Sequence, residues 1–142
     1  MRIAVATSGR FHMLDLAREL NALGHEVLFY TLLPVQRAEQ FGLPRTCVRS
    51  RFFHALPWLA VSQLFSQGAW KRRIRDRLTV WMDQRIAQSL EPCEVFIGMS
   101  GLYLEAGRAA QRRFGALWVL ERGSRHILSQ KEILNKLPGA KD

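Results

Sequence analysis

A chain of 142 residues, 48% apolar, is long enough to bury about 70% of its unfolded surface around one core. Its two cysteines, Cys47 and Cys93, make neither a disulfide framework nor a zinc spacing, its N-terminus does not read as a signal peptide, and no run reaches the ~20 apolar residues of a membrane span, so the expectation is a reduced, cytoplasmic domain. The net charge of +9 is uneven: residues 51–90 hold seven Lys/Arg against two Asp/Glu, which points to an anionic partner on one face.

In chain order, residues 2–7 predict a buried strand, short and rich in branched and small apolar residues, ending in the turn Ser8-Gly9-Arg10. Residues 11–24 predict a helix, with Met13, Leu16, Ala17, Leu20 and Leu23 at helical spacing and Gly24 as a left-handed C-cap. Residues 25–31 predict a second strand, Pro34 starts a short helix through Phe41 that Gly42 stops, and 45–50 predict a third strand. The longest predicted helix covers 68–90, with Ile74, Leu78, Trp81, Met82, Ile86 and Leu90 on one stripe and Pro92 beyond its end. A strand and glycine turn follow at 94–101, then a helix over 102–114 closed by Gly115, a strand at 116–121 and a last helix over 127–137. Nearly continuous apolar strands separated by helices predict an α/β domain spanning 1–142, a doubly wound, mostly parallel sheet with helices on both faces.

In such sheets ligands bind beyond the carboxyl ends of the strands, near the point where strand order reverses. Three strand-to-helix turns carry the polar and small residues for this. They supply the cleft candidates Ser8, Gly9, Arg10 and His12, then Ser100 and Gly101, then Glu121, Arg122, Gly123, Ser124 and His126. Glycine lets backbone approach a ligand, and free N–H groups at a helix start favour an anion or an ionised hydroxyl. Neither the dinucleotide fingerprint nor the P-loop string occurs, and the four histidines have no metal-ligand spacing, so no metal and no resident cofactor are expected.

Residues 51–77 form a second feature, a basic and aromatic segment. Large apolar residues from Phe52 to Phe65 precede a run of five basic residues and one acid at 71–77. Rings in a headgroup layer beside arginines on anionic lipid have this composition, with Phe52, Phe53, Trp58, Lys71, Arg72, Arg73, Arg75 and Arg77 as the membrane-facing set. The plain alternative is a core segment followed by a solvated helix face. No aromatic-rich strand or recognition-helix pattern points to nucleic acid.

The first strand with its SGR turn, ELNALGHEV (19–27), VFIGMSG (95–101), the helix ending in RRFGA (112–116) and the turn ERGSRHI together resemble the N-terminal, acceptor-binding domain of bacterial GT-B retaining glycosyltransferases. That large family includes many lipopolysaccharide, exopolysaccharide and phosphatidylinositol mannosyl transferases. The resemblance implies a Rossmann-like half of a two-domain enzyme that transfers a sugar from a nucleotide-sugar donor to a glycan or lipid-linked acceptor. It implies Gly9 near the donor phosphates, Ser8, Arg10 and His12 on the acceptor side, and docking of 51–77 on the inner face of a membrane. His126 and Ser124 are the catalytic candidates by position in the family's cleft turn, although the histidine stands behind an inserted Glu-Arg-Gly-Ser. The family's glutamate-x7-glutamate element belongs to a C-terminal donor-binding domain not found in these residues. This half is therefore expected to be inactive alone, with an exposed interdomain face through which it would dimerise. The alternative expectation is a non-catalytic Rossmann-like module that binds a membrane or a protein partner, and a flavodoxin-like nucleotide binder stands third.

Overall fold

The structure is a computed structural model that describes residues 1–9, 11–64 and 69–122. Five strands, β1 (Arg2–Thr7), β2 (Glu26–Thr31), β3 (Val48–Ser50), β4 (Val95–Met99) and β5 (Leu117–Glu121), form one sheet in the order β3-β2-β1-β4-β5. Every pairing is parallel. Strand order therefore reverses at β1, whose neighbours are β2 on one side and β4 on the other. The Rossmann-like α/β expectation is met, and the sheet is wholly parallel in the described residues.

The period-two alternation of the strands sends side chains to two cores. Ile3, Val5, Val27, Phe29, Val48 and Val95 pack with Met13, Leu14 and Ala17 of α1 (Phe11–Ala22) and Ala38 of α2 (Val35–Gln40). Ala4, Ala6, Leu28, Tyr30 and Phe96 pack with Met82, Ile86 and Leu90 from α4 (Ala69–Ser89) and its end, and with Ala106 and Ala110 of α5 (Leu104–Phe114). α3 (Phe52–Leu64) packs on α4.

Several boundaries differ from the sequence expectation. α1 ends at Ala22, so Leu23 falls in the turn and is 74% exposed, not on the buried stripe. Residues Arg45–Cys47 form a 3-10 turn before the three-residue β3, because Pro44 supplies the entry dihedral and the carbonyl that Cys47 N–H bonds. α5 begins at Leu104, two residues late, since Gly101 and Tyr103 both take left-handed backbone conformations (φ 84° and 60°). The predicted helix over 127–137 lies outside the described residues.

Candidate functional site at the carboxyl edge of the sheet

Three of the five strands, β1, β2 and β3, end at the carboxyl edge in a hydroxyl residue. Thr7, fully buried, donates from Oγ1 to the Gly9 carbonyl at 3.2 Å. Thr31 Oγ1 accepts from Leu33 N–H at 3.1 Å, and Ser50 Oγ donates to the Leu33 carbonyl at 2.6 Å. The Thr7 and Thr31 hydroxyls satisfy backbone groups of their own turns, and Ser50 ties β3 to the turn after β2.

Around the switch point the first and third predicted turns meet. His12 Nε2, at the start of α1, lies 2.9 Å from Glu121 Oε1, at the end of β5. The His12 side chain is half exposed and that of Glu121 only 22% exposed. Ser100 N–H donates to the Glu121 carbonyl at 2.8 Å, so the second turn is tied to the same strand end. Among the described residues the other carboxylate oxygen of Glu121, Oε2, is buried and meets no hydrogen-bond donor. A buried acceptor left without a donor costs about 1–3 kcal/mol, more when charged, so this oxygen calls for a donor from beyond the described residues or from a ligand.

Tyr103 joins the remaining pieces. Its backbone is left-handed, an outlier for a bulky residue, and its ring is buried to 1% exposure beside Gly98, where the small Ala6–Gly98 pair leaves room on the face of the sheet. The hydroxyl donates toward Met82 Sδ at 3.7 Å. Burial pushes the phenol well above its ordinary value near 10, a rise that a hydrogen bond from Ser8 only partly offsets, so Tyr103 stays protonated. It links the first turn, α4 and the second turn through one side chain.

α5 carries no side-chain cap of its own. Asp83 of α4 supplies it across the interface, accepting the Ala106 N–H at 2.8 Å and the Glu105 N–H at 3.0 Å. In front of this junction, between α4 and the β4–α5 turn, opens a cavity of about 390 Å³ lined by Asp76, Thr79, Val80, Leu102, Tyr103 and Glu105 among others. The cavity was not foreseen in the sequence, though a signal was present. Asp76, Thr79, Val80 and Asp83 recur at i, i+3, i+4 and i+7, a partly polar line beside the apolar stripe of α4.

Of the expected cleft residues, the structure thus gathers Ser8, His12, Ser100 and Glu121 around the switch point. Gly9 and Gly101 stand in the turns themselves, and Arg122 is exposed at the end of β5. Arg10, Gly123, Ser124 and His126 lie outside the described residues.

In the basic segment, Phe53 is 75% exposed while Phe52 and Trp58 are half-buried. Phe52 and Phe53 make an edge contact, with ring centroids 5.6 Å apart. Leu56 and Val61 are exposed, and Ala55 is buried. Arg72, Arg73, Arg75 and Arg77 are all exposed, and Arg73 lies 5.8 Å from the ring centre of the exposed Trp70. The Lys71 side chain lies outside the described parts. Among the described residues no helix is long and apolar enough to cross a membrane. Comparison with family models, with curated proteins and with solved structures yields no match to this chain.

Proposed function

We propose that this chain is the acceptor-binding half of a sugar-transferring enzyme that uses a nucleotide-sugar donor, the switch-point edge receiving a hydroxyl-bearing acceptor. The observation that carries the reading is the Glu121 carboxylate. One oxygen is held by His12 and the other is buried with no donor among the described residues, at the edge where doubly wound sheets take ligands. A carboxylate fixed in this way accepts a hydrogen bond from an alcohol and orients it, which is what transfer to a hydroxyl asks of the acceptor side. The resemblance of the SGR, GHEV and ERGSRHI stretches to GT-B N-terminal domains supports the same reading, and with it a donor-binding domain as partner. Leu117, Val119 and Leu120, exposed on the edge strand β5, offer apolar surface of the kind another domain or a second copy covers.

Calorimetry on the full chain with methyl glycosides, oligosaccharides, nucleotide sugars and free dinucleotides tests the reading. Glycans should bind, with affinity falling about tenfold or more in Glu121→Gln, the loss expected for a hydrogen bond to a charged group. Binding of a dinucleotide or flavin in preference to any glycan would replace this reading with a nucleotide-binding one.

A second reading concerns location. α3 exposes Phe53, Leu56 and Val61, and the first turns of α4 expose four arginines and Trp70. Rings and arginines on adjoining helices suit the headgroup layer of an anionic membrane. Sedimentation with phosphatidylglycerol-rich vesicles, and not with phosphatidylcholine vesicles, is the expected result. Binding unaltered when Arg72, Arg73, Arg75 and Arg77 are all changed to Gln would show these residues to be an ordinary solvated face.

A further inference from the structure

Alternation along β5 turns Leu117, Val119 and Glu121 to one face of the sheet, in register with Val95, Ile97 and Met99 of β4, which pack on the α1 side. The Glu121 carboxylate therefore rises on the face that α1 covers, and His12 stands in the first turn of that helix. Met99 ends β4 between the two. Its side chain is half-buried, and its sulfur lies 3.8 Å from Thr7 Oγ1 at the end of β1. Strand order brings an imidazole and a carboxylate together beside this strand end, with His12 Nε2 at 2.9 Å from Glu121 Oε1.

The two groups are held unequally. Glu121 is 22% exposed, and its carbonyl accepts the Ser100 N–H at 2.8 Å, so the carboxylate has a fixed seat. The His12 side chain is 52% exposed. An exposed imidazole without a partner turns through its rotamers, whereas one that gives its Nε2–H to a seated carboxylate keeps one orientation and one tautomer. In that tautomer the lone pair is on Nδ1, which meets no partner among the described residues. A base whose second nitrogen is oriented by an acid is the arrangement that proton transfer from a hydroxyl asks for, on any fold.

We infer that His12 is a general base that takes a proton at Nδ1 from a hydroxyl or a water at the switch point, with Glu121 as its positioning residue. The O–H bond breaks, its proton forms the Nδ1–H bond, and its electron pair stays on the oxygen, which attacks an electrophilic centre. The departing group leaves with its bonding pair and receives the proton from Nδ1. Between these steps the Glu121 charge faces the imidazolium and stabilises it. The inference shares its site with the glycosyl-transfer reading but not its substrate class, and it stands without that reading.

The test is hydrolysis of ethyl dichloroacetate by the full chain near neutral pH, followed by acid release. With so poor a leaving group an imidazole acts on the ester through water, as a base. His12→Gln should lower the protein-dependent rate about tenfold or more, as loss of a general base does. Glu121→Gln keeps an acceptor oxygen for the Nε2–H and removes the charge, so it should lower the rate about threefold, the worth of a partly exposed ion pair. The wild-type rate should fall in D2O, because a proton moves in the slow step. His54→Gln, a change at an exposed histidine with no carboxylate partner among the described residues, should leave the rate unaltered. An unchanged rate in His12→Gln overturns the inference, as does an equal loss in His54→Gln, which would make the activity that of any exposed imidazole. A rate insensitive to D2O overturns it too, and so does a wild-type rate in Glu121→Gln. Absence of glycan binding beside a His12-dependent rate would remove the acceptor reading and keep the base; glycan binding without such a rate would do the reverse.

Discussion

Cys93 illustrates how burial decides reactivity. Its thiol is buried at the start of β4's approach, and desolvation raises its ionisation to about 11, against a small opposing pull from Arg2. Only the thiolate is nucleophilic, so at pH 8 the native protein should react with iodoacetamide at Cys93 far more slowly than the urea-unfolded chain. Equal rates, read by mass spectrometry of the Cys93 peptide, would show that the site opens readily. Two cysteines without pairing or metal spacing were legible in the sequence as reduced thiols, and both are free in the structure. The degree of their burial was not legible, because it depends on what the fold places over them.

At the scale of elements, α5 depends on neighbours distant in sequence. Asp83→Ala leaves the Glu105 and Ala106 N–H groups without their cap and should lower stability by about 1–2 kcal/mol in urea unfolding, the range for a lost N-cap. Asp83→Asn should recover part of it, since a carbonyl oxygen still accepts one of the two bonds. The opposite face of α5 is held by shape. A Cβ on Gly107 would land inside the Trp118 indole, so Gly107→Ala should cost about 1–3 kcal/mol as β5 and α5 separate. Wild-type stability in Gly107→Ala would mean that the indole has room to move. The C-cap Gly115 was readable from sequence, and its φ of 65° agrees. The real start of α5 was not readable, because the left-handed Tyr103 is held by burial under Ser8 and Met82 and not by any propensity of its own.

For the whole molecule, one charge cluster ties the end of α4 to β1, β2 and β3. Glu91, after α4, meets Arg49 of β3 and Arg2 of β1, the latter at 3.1 Å, and its N–H donates to the Tyr30 hydroxyl at 3.0 Å. Hydrogen bonding from Arg49 holds the Glu91 carboxyl below its ordinary value near 4.5. A lowered folded-state value means that the stabilisation is complete above about pH 4.5 and is lost as pH falls through the folded value. Because the side chain is about a third exposed, the term should stay under about 1 kcal/mol. The urea midpoint of Glu91→Gln should accordingly differ from wild type near pH 7 and converge with it near pH 3; a constant gap would assign the difference to packing.

Apolar runs punctuated by Gly and Pro were sufficient for the sequence alone to determine five strands, their alternation with helices and a parallel sheet, because those signals are local and periodic. They also indicated three polar turns at one edge, since that edge follows from the topology of any such sheet. Tertiary structure alone decided which of those residues meet. His12 and Glu121 stand over a hundred positions apart and come within 2.9 Å only because β1 and β5 flank the same strand. The α4 cavity depended on the same thing, for Asp76 and Thr79 become part of a pocket only when the β4–α5 turn is laid across them. Pair distances between remote segments are set by strand order and helix packing, which no local pattern encodes.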